Sequence, residues 1–301
     1  MNSSNWIWRS VSIISAAATL LLIAGFVYAI QDVNYPQRAQ GAGDLAESVK
    51  PPKGTSNDAI QDKKELKVAA LGDSLAKGTG DSTGSGFVRR SVQEYSKDTG
   101  KKVTLLNNLG INGLTTTALL PKLEEQGTQY VLAKADVILL SIGGNDLFRG
   151  ADLFTSVKNT SPNESSSSAV KKDSEVSKTS TQAKVQEIKP EDILKALPQA
   201  SLKLQKILVK LREINPNAVI IYVGLYNPFG DLEQLKIPGN EAVTTWNNAA
   251  LSLINKNGNM MLVPTFDLFQ QNLNKYLSSD HFHPNGDGYQ QIAERIVQSI
   301  R

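Results

Sequence analysis

Ser74, Asn145, Asp280 and His283 are the residues whose types and surroundings could do chemistry. Ser74 ends Gly72-Asp73-Ser74, directly after the apolar run Lys67-Val-Ala-Ala-Leu71. Asn145 lies in Gly143-Gly-Asn-Asp146, behind a second apolar run, Val137–Ile142. Asp280 precedes His283 by three residues in Asp280-His-Phe-His-Pro284. A hydroxyl, an imidazole to take its proton and a carboxylate to orient that imidazole are the equipment of nucleophilic acyl transfer. The chain has two histidines, His281 and His283, so the choice of base is narrow. One tight turn lets Asp280 reach Nδ1 of His283 and leaves Nε2 for Ser74, while Pro284 stiffens the residue before it. Asp280 is adjacent to His281, and neighbouring side chains in an extended segment diverge, so it is poorly placed to orient that ring.

Acyl transfer also needs fixed donors for the developing oxyanion. The Ser74 backbone N–H is one by analogy with other serine hydrolases, and the Asn145 side-chain amide is a second. A third is a glycine N–H, Gly110 or Gly113, from the turn Asn108-Leu-Gly-Ile-Asn-Gly113-Leu-Thr-Thr116. Other motifs fit less well. The elbow G-x-S-x-G fails because Ala76 holds its last position. Gly78-Thr-Gly80 lacks the third glycine of a dinucleotide loop, and no P-loop is present. His281, His283 and Asp280 could ligate zinc or manganese, but with no cysteine and no further histidine the remaining ligands would be carboxylate or water.

These residues need a frame. Apolar runs at Lys67–Leu71, Val103–Asn107, Val137–Ile142, Ala218–Gly224 and Met260–Val263 read as buried strands. Helical patterns alternate with them. Leu204, Leu208 and Leu211 share a face that Asn215-Pro216 ends; Trp246, Ala249, Ala250 and Leu253 mark another; Tyr289, Ile292, Ala293, Ile296 and Ile300 mark a terminal one. Strands alternating with helices predict a parallel sheet covered on both faces. Ser74, Gly113 and Asn145 each follow a predicted strand, which puts them together at the C-terminal rim where such folds bind ligands.

The four blocks around Ser74, Gly113, Asn145 and His283 resemble the SGNH (GDSL-type) lipase and esterase family, in its order and across Leu66–Arg301. The resemblance implies a flavodoxin-like three-layer α/β/α sandwich whose five parallel strands run 2-1-3-4-5. It implies hydrolysis of carboxylic esters, lipid acyl esters or O-acetyl groups, through an acyl-serine intermediate and without metal or cofactor. Ser74, Asp280 and His283 would be catalytic, with Ser74, Gly113 and Asn145 forming the oxyanion hole. Asn227-Pro228 and Asp267-Leu-Phe269 also resemble family segments. Two readings compete: a metal-dependent hydrolase built on His281-x-His283, and a non-catalytic cell-surface binding module.

The remaining sequence bounds the setting. With 301 residues, 40% hydrophobic and 20% charged, the chain suits one medium-sized domain with appendages. A net charge of +3 with scattered lysines gives nucleic-acid binding little support. The absence of cysteine excludes disulfides, a thiolate nucleophile and a lipid-modified cysteine anchor. Val11–Ile30 is apolar and uncharged, and at 1.5 Å per residue a helix of that length spans roughly 30 Å, a bilayer core. Residues 1–31 are therefore expected to be a transmembrane anchor with the remainder outside the cell, Arg9 preceding the run and Asp32 following it. A signal peptide cleaved after Ala29, giving a secreted enzyme, is the alternative. Residues 32–65 read as a flexible linker, and residues 66–301 as the hydrolase domain. Within it Ser156–Pro190, with nine serines and almost no large apolar side chain, reads as a disordered insertion.

Overall fold

The computed structural model describes residues 58–149 and 190–301, together with 13, 15–22 and 25. The chain divides into two units, Met1–Lys50 and Pro51–Arg301, and the fold below is that of the second. Its elements are α1 (Asp58–Gln61), β1 (Glu65–Gly72), α2 (Ser74–Lys77), α3 (Gly86–Thr99), β2 (Lys102–Gly110), α4 (Thr116–Lys122), α5 (Gln126–Ala133), β3 (Val137–Ser141), α6 (Gly144–Arg149), α7 (Pro190–Ile214), β4 (Val219–Val223), α8 (Glu233–Ile254), β5 (Met260–Val263), α9 (Phe266–Gln270), α10 (Leu273–Tyr276) and α11 (Gly286–Ser299).

The five strands form one parallel sheet in the order β2-β1-β3-β4-β5. Parallel strands covered by helices on both faces are apolar without alternation, and β3 and β4 are buried at every residue. Successive side chains still divide between the faces. Val137 and Leu139 join Phe87, Tyr95, Tyr289 and Ile296 of α3 and α11. Ile138 and Leu140 join Leu119, Leu208 and Trp246 of α4, α7 and α8 on the other side. The product is the three-layer α/β/α sandwich with strand order 2-1-3-4-5.

Two sequence expectations need correction. β2 was expected to be buried, yet none of its residues is, because it is an edge strand. The ordered unit also begins before Leu66, inside the segment read as linker. Helix α1 covers Asp58–Gln61, Ile60 is 1% exposed against the β1–α11 side of the core, and the Gln61 Nε2 donates to the Arg301 carbonyl at 2.9 Å. The insertion expected at 156–190 lies outside the described residues except for Pro190, which opens α7. Half of the expected anchor, residues 11–30, lies outside them too. Among the described residues no helix is long and apolar enough to cross a membrane.

The strand ends that matter for the site are held by two glycine contacts. Gly72, at φ +139°, closes β1 so tightly on β3 that a Cβ there would lie 1.8 Å from the Ser141 carbonyl oxygen. Gly143, at φ +118°, lies against the Trp246 ring, where a Cβ would come within 2.3 Å. Trp246 Nε1 donates to the Tyr222 hydroxyl (2.6 Å), which donates to the Ile142 carbonyl (2.6 Å). Every polar atom of that buried chain is paired, so the segment leading to Asn145 is fixed from both faces of the loop.

Candidate active site

Ser74 opens α2 at the end of β1. The backbone turns there because Asp73 is extended (φ −93°, ψ −154°) and caps the helix, its Oδ1 accepting the Leu75 N–H at 3.0 Å. The Asp73 N–H donates to the Ser141 carbonyl (2.9 Å), and the Ser141 hydroxyl donates to Asp73 Oδ1 (2.9 Å). Both residues are buried, Ser74 at 5% exposure and Asp73 at 1%.

His283 Nε2 lies 2.9 Å from Ser74 Oγ, and its Nδ1 lies 2.7 Å from Asp280 Oδ2. The second Asp280 oxygen accepts from Ser278 Oγ (2.7 Å) and from the N–H groups of Phe282 and His283 (both 2.9 Å). Burial pulls the Asp280 carboxyl upward, but the His283 ring and these three donors outweigh it and hold it well below the usual range. An ionised carboxylate only accepts, so the Nδ1 carries the imidazole proton and the Nε2 lone pair faces the Ser74 hydroxyl. His281 sits at the tip of the same turn, exposed and left-handed at φ +54°.

The turn is tied into the fold at its base. The Ser278 N–H donates to the His283 carbonyl (2.8 Å), and the Asn285 amide donates to the carbonyls of Lys275 and Leu277. The Tyr226 hydroxyl, from the end of β4, donates to the Phe282 carbonyl at 2.8 Å while its ring stacks on Phe269.

Asn145 is buried on α6, and its Nδ2 donates to the Leu114 carbonyl at 3.0 Å. That bond uses one of two amide hydrogens. The neighbouring Asp146 accepts from the Thr116 N–H and hydroxyl, so α6 is tied at two points to the turn that carries Gly113. The turn meets the Ser74 loop as well: Ile111 donates to Gly72 O (2.9 Å), and Thr79 Oγ1 donates to Asn112 Oδ1 (2.8 Å). Gly113 is at φ +75° in this turn. Gly110, its rival in the sequence, is the last residue of β2 and donates its N–H to Asn108 Oδ1 at 3.0 Å.

A small pocket opens beside Ser74 and Asn145, walled by Leu75, Phe148, Leu225, Pro228 and Phe282. Phe148, Phe229 and Phe282 pack edge-on or tilted with ring centroids 5.4–6.3 Å apart, and Phe282 meets the His283 ring edge-to-face at 4.8 Å. Sequence reasoning missed this wall. Asn227-Pro228 was the one available signal: Asn227 Oδ1 accepts the Phe229 N–H and its amide donates to Asn240, which shapes the loop that presents Phe229. Among the described residues, no group of three or more histidine, cysteine or acidic side chains is placed to hold a metal ion.

Comparison with known proteins identifies the family. The model of the GDSL-like lipase/acylhydrolase family matches residues 70–291, and the chain belongs to that family. It is a serine ester hydrolase. Protein YpmR of Bacillus subtilis (strain 168) is 29% identical over 245 residues, covering 79% of this chain and 83% of YpmR. The spore germination lipase LipC of Bacillus licheniformis is 28% identical over 239 residues, covering 77% of this chain and 94% of LipC. The crystal structure of the lipase Lip_vut3 from a goat rumen metagenome shares the fold with a TM-score of 0.60 at 24% identity, covering 78% of this chain and 97% of that one.

Asp73 adds a titratable group that the sequence did not single out. Burial pushes its carboxyl up to about 6, against hydrogen bonds from Ser141 and the Leu75 N–H; His283 pulls it down and Asp146 pushes it further up. A carboxyl whose folded pKa is raised binds its proton more tightly in the native state, so stability falls as pH rises from the unfolded value towards the folded one. The interval from 3.8 to about 6 corresponds to a loss on the order of 3 kcal/mol, at about 1.4 kcal/mol per tenfold in proton affinity. Asp73→Asn keeps an acceptor for Leu75 and Ser141 but cannot ionise. Urea unfolding between pH 4 and 7 should show the wild-type enzyme losing stability relative to Asp73→Asn by about that amount. Parallel curves would refute the assignment.

Proposed function

We propose that Ser74 is the nucleophile, His283 the general base and Asp280 its orienting carboxylate, in hydrolysis of carboxylic esters through an acyl-serine intermediate. The observation that carries this is the unbroken pair of contacts from Asp280 Oδ2 to His283 Nδ1 and from His283 Nε2 to Ser74 Oγ. As Ser74 Oγ attacks the ester carbonyl, its proton passes to His283 Nε2, and Asp280 stabilises the imidazolium. Collapse of the tetrahedral intermediate breaks the bond to the alcohol oxygen, which leaves with that proton. Water then attacks the acyl-serine by the same route, releasing the acid and restoring the Ser74 hydroxyl.

The oxyanion is received by the Ser74 N–H at the start of α2, the second Asn145 amide hydrogen and the Gly113 N–H. One observation supports Gly113: its turn is bound to both Gly72 and Asn145. The apolar pocket wall at Phe148, Phe282 and Leu225 supports an aliphatic acyl group, as in a lipid ester, over an O-acetylated sugar.

p-Nitrophenyl esters from acetate to dodecanoate test the reading on one footing. The kcat/KM should rise from acetate to a medium chain; a steady fall from acetate would point to O-acetyl substrates instead. Ser74→Ala should lower kcat by about 10⁴–10⁶-fold and His283→Ala by at least about 10³-fold. His281→Ala should cost less than about tenfold. The reverse order of the two histidine variants would refute the base assignment and the role of Asp280 together.

The enzyme is held at a membrane by residues 11–30, with residues 66–301 outside the cell. The uncharged apolar run between Arg9 and Asp32 supports this. Membranes washed in alkaline carbonate should retain the full-length protein. Recovery of a soluble form beginning at Ile30 would show a cleaved signal peptide.

A further inference from the structure

We infer that Gly80 is a positioning residue for the general base: the backbone at Thr79-Gly80 is a fixed seat against which the Asp280–His283 turn is set. The inference rests on the reading of His283 as base. Gly80 is left-handed (φ +95°), and a Cβ there would lie 2.6 Å from the Pro284 carbonyl oxygen, 2.8 Å from His283 Cβ and 3.1 Å from Ser278 Oγ. These are three separate parts of the base turn. Ser278 Oγ is also the hydroxyl that donates to Asp280. One missing methyl group therefore borders both the imidazole and the support of its carboxylate.

The seat cannot move aside. Thr79 binds three other segments: its N–H donates to the Ser74 carbonyl (3.0 Å), its hydroxyl to Asn112 (2.8 Å), and its carbonyl accepts the buried Tyr289 hydroxyl (2.7 Å). On the other side of Gly80, the side chain of Asp81 is fully buried. It accepts from the Thr83 N–H and hydroxyl, the Gly86 N–H, and Nε and Nη2 of Arg90. A fully buried carboxylate with both oxygens satisfied is costly to disturb. The base turn is held by fewer bonds near its tip, where Tyr226 binds the Phe282 carbonyl and Asp280 and His281 are exposed. A side chain at position 80 would thus displace the turn rather than the seat, and lengthen the 2.9 Å approach of His283 Nε2 to Ser74 Oγ.

The same loop supplies a control. Gly84 is also left-handed (φ +66°), but a Cβ there meets nothing within 4 Å. Gly84→Ala carries the backbone strain without the contact.

Steady-state kinetics on one p-nitrophenyl ester should be measured for Gly80→Ala, Gly84→Ala and His283→Ala, with Tm for each. Gly80→Ala should lose about 10–100-fold in kcat, the scale of a misplacement near 1 Å, with KM within about twofold. Gly84→Ala should keep wild-type kcat, and Gly80→Ala should have the lower Tm of the two, since its Cβ meets backbone that must shift. A Gly80→Ala kcat no lower than that of Gly84→Ala, with His283→Ala inactive, overturns the seat and leaves the base assignment intact. A near wild-type His283→Ala overturns the base assignment itself. If Gly80→Ala does not fold, Tyr289→Phe decides the matter, since it frees the Thr79 carbonyl without adding an atom. A severalfold fall in kcat at unchanged KM supports the seat, and wild-type kcat overturns it.

Discussion

The ends of β1 and β3 touch, and the rest of the site depends on that contact. Gly72 has no side chain to hold the strands apart, so Asp73 reaches Ser141 with both its backbone N–H and its carboxylate. The same carboxylate starts α2 and so aims the Ser74 N–H and hydroxyl outward. Two residues beyond Ser141, the Gly143–Trp246 contact turns the chain into α6 and brings Asn145 to the same rim. Any side chain at position 72 would separate Ser74 and Asn145 at once. Close backbone approach is the physical content of the Gly-Asp-Ser run, more than the flexibility a glycine offers.

Electrostatics divides the acidic residues around Ser74 into two kinds. Asp280 is surrounded by donors that hold its carboxyl well below the usual range, which suits the orienting role proposed for it. Asp73 is buried with fewer donors, and burial pushes its carboxyl up to about 6; it serves the backbone around Ser74. Burial raises Asp146 as well, and its bonds to Thr116 are spent on holding α6 against the glycine turn. The three carboxyls lie close together in the fold and answer to one rule. The balance between burial and the donors each gathers sets the direction of its shift.

The parts of this arrangement that could be read from sequence are those carried by scarce residue types behind apolar runs. Two histidines and no cysteine leave few ways to build a nucleophile and base, and Ser74 and Asn145 each follow a strand that announces itself. The alternation of strands and helices likewise gave the layered sheet. What could not be read depends on residues distant in sequence meeting in space. Phe148 comes from α6 and Phe229 and Phe282 from two separate loops, and nothing local to any of them indicates the others. Gly80 looked like half of an unfinished dinucleotide motif, because its partner, the His283 turn, lies about 200 residues on. Ile60 was hidden for a different reason: one apolar residue among polar neighbours has no periodicity to betray its burial. The edge position of β2 was equally invisible, since an apolar strand reads the same at the centre or the margin of a sheet.

The claim on which the account turns is that one serine, Ser74, is activated by His283 to attack an acyl carbon. Fluorophosphonates report this directly, because they react only with a serine whose proton is being withdrawn. After such treatment, peptide mapping of the full-length enzyme by mass spectrometry should find a single adduct, on the peptide carrying Ser74, and none in His283→Ala. An adduct on another serine, or equal labelling of the His283→Ala enzyme, would contradict the account.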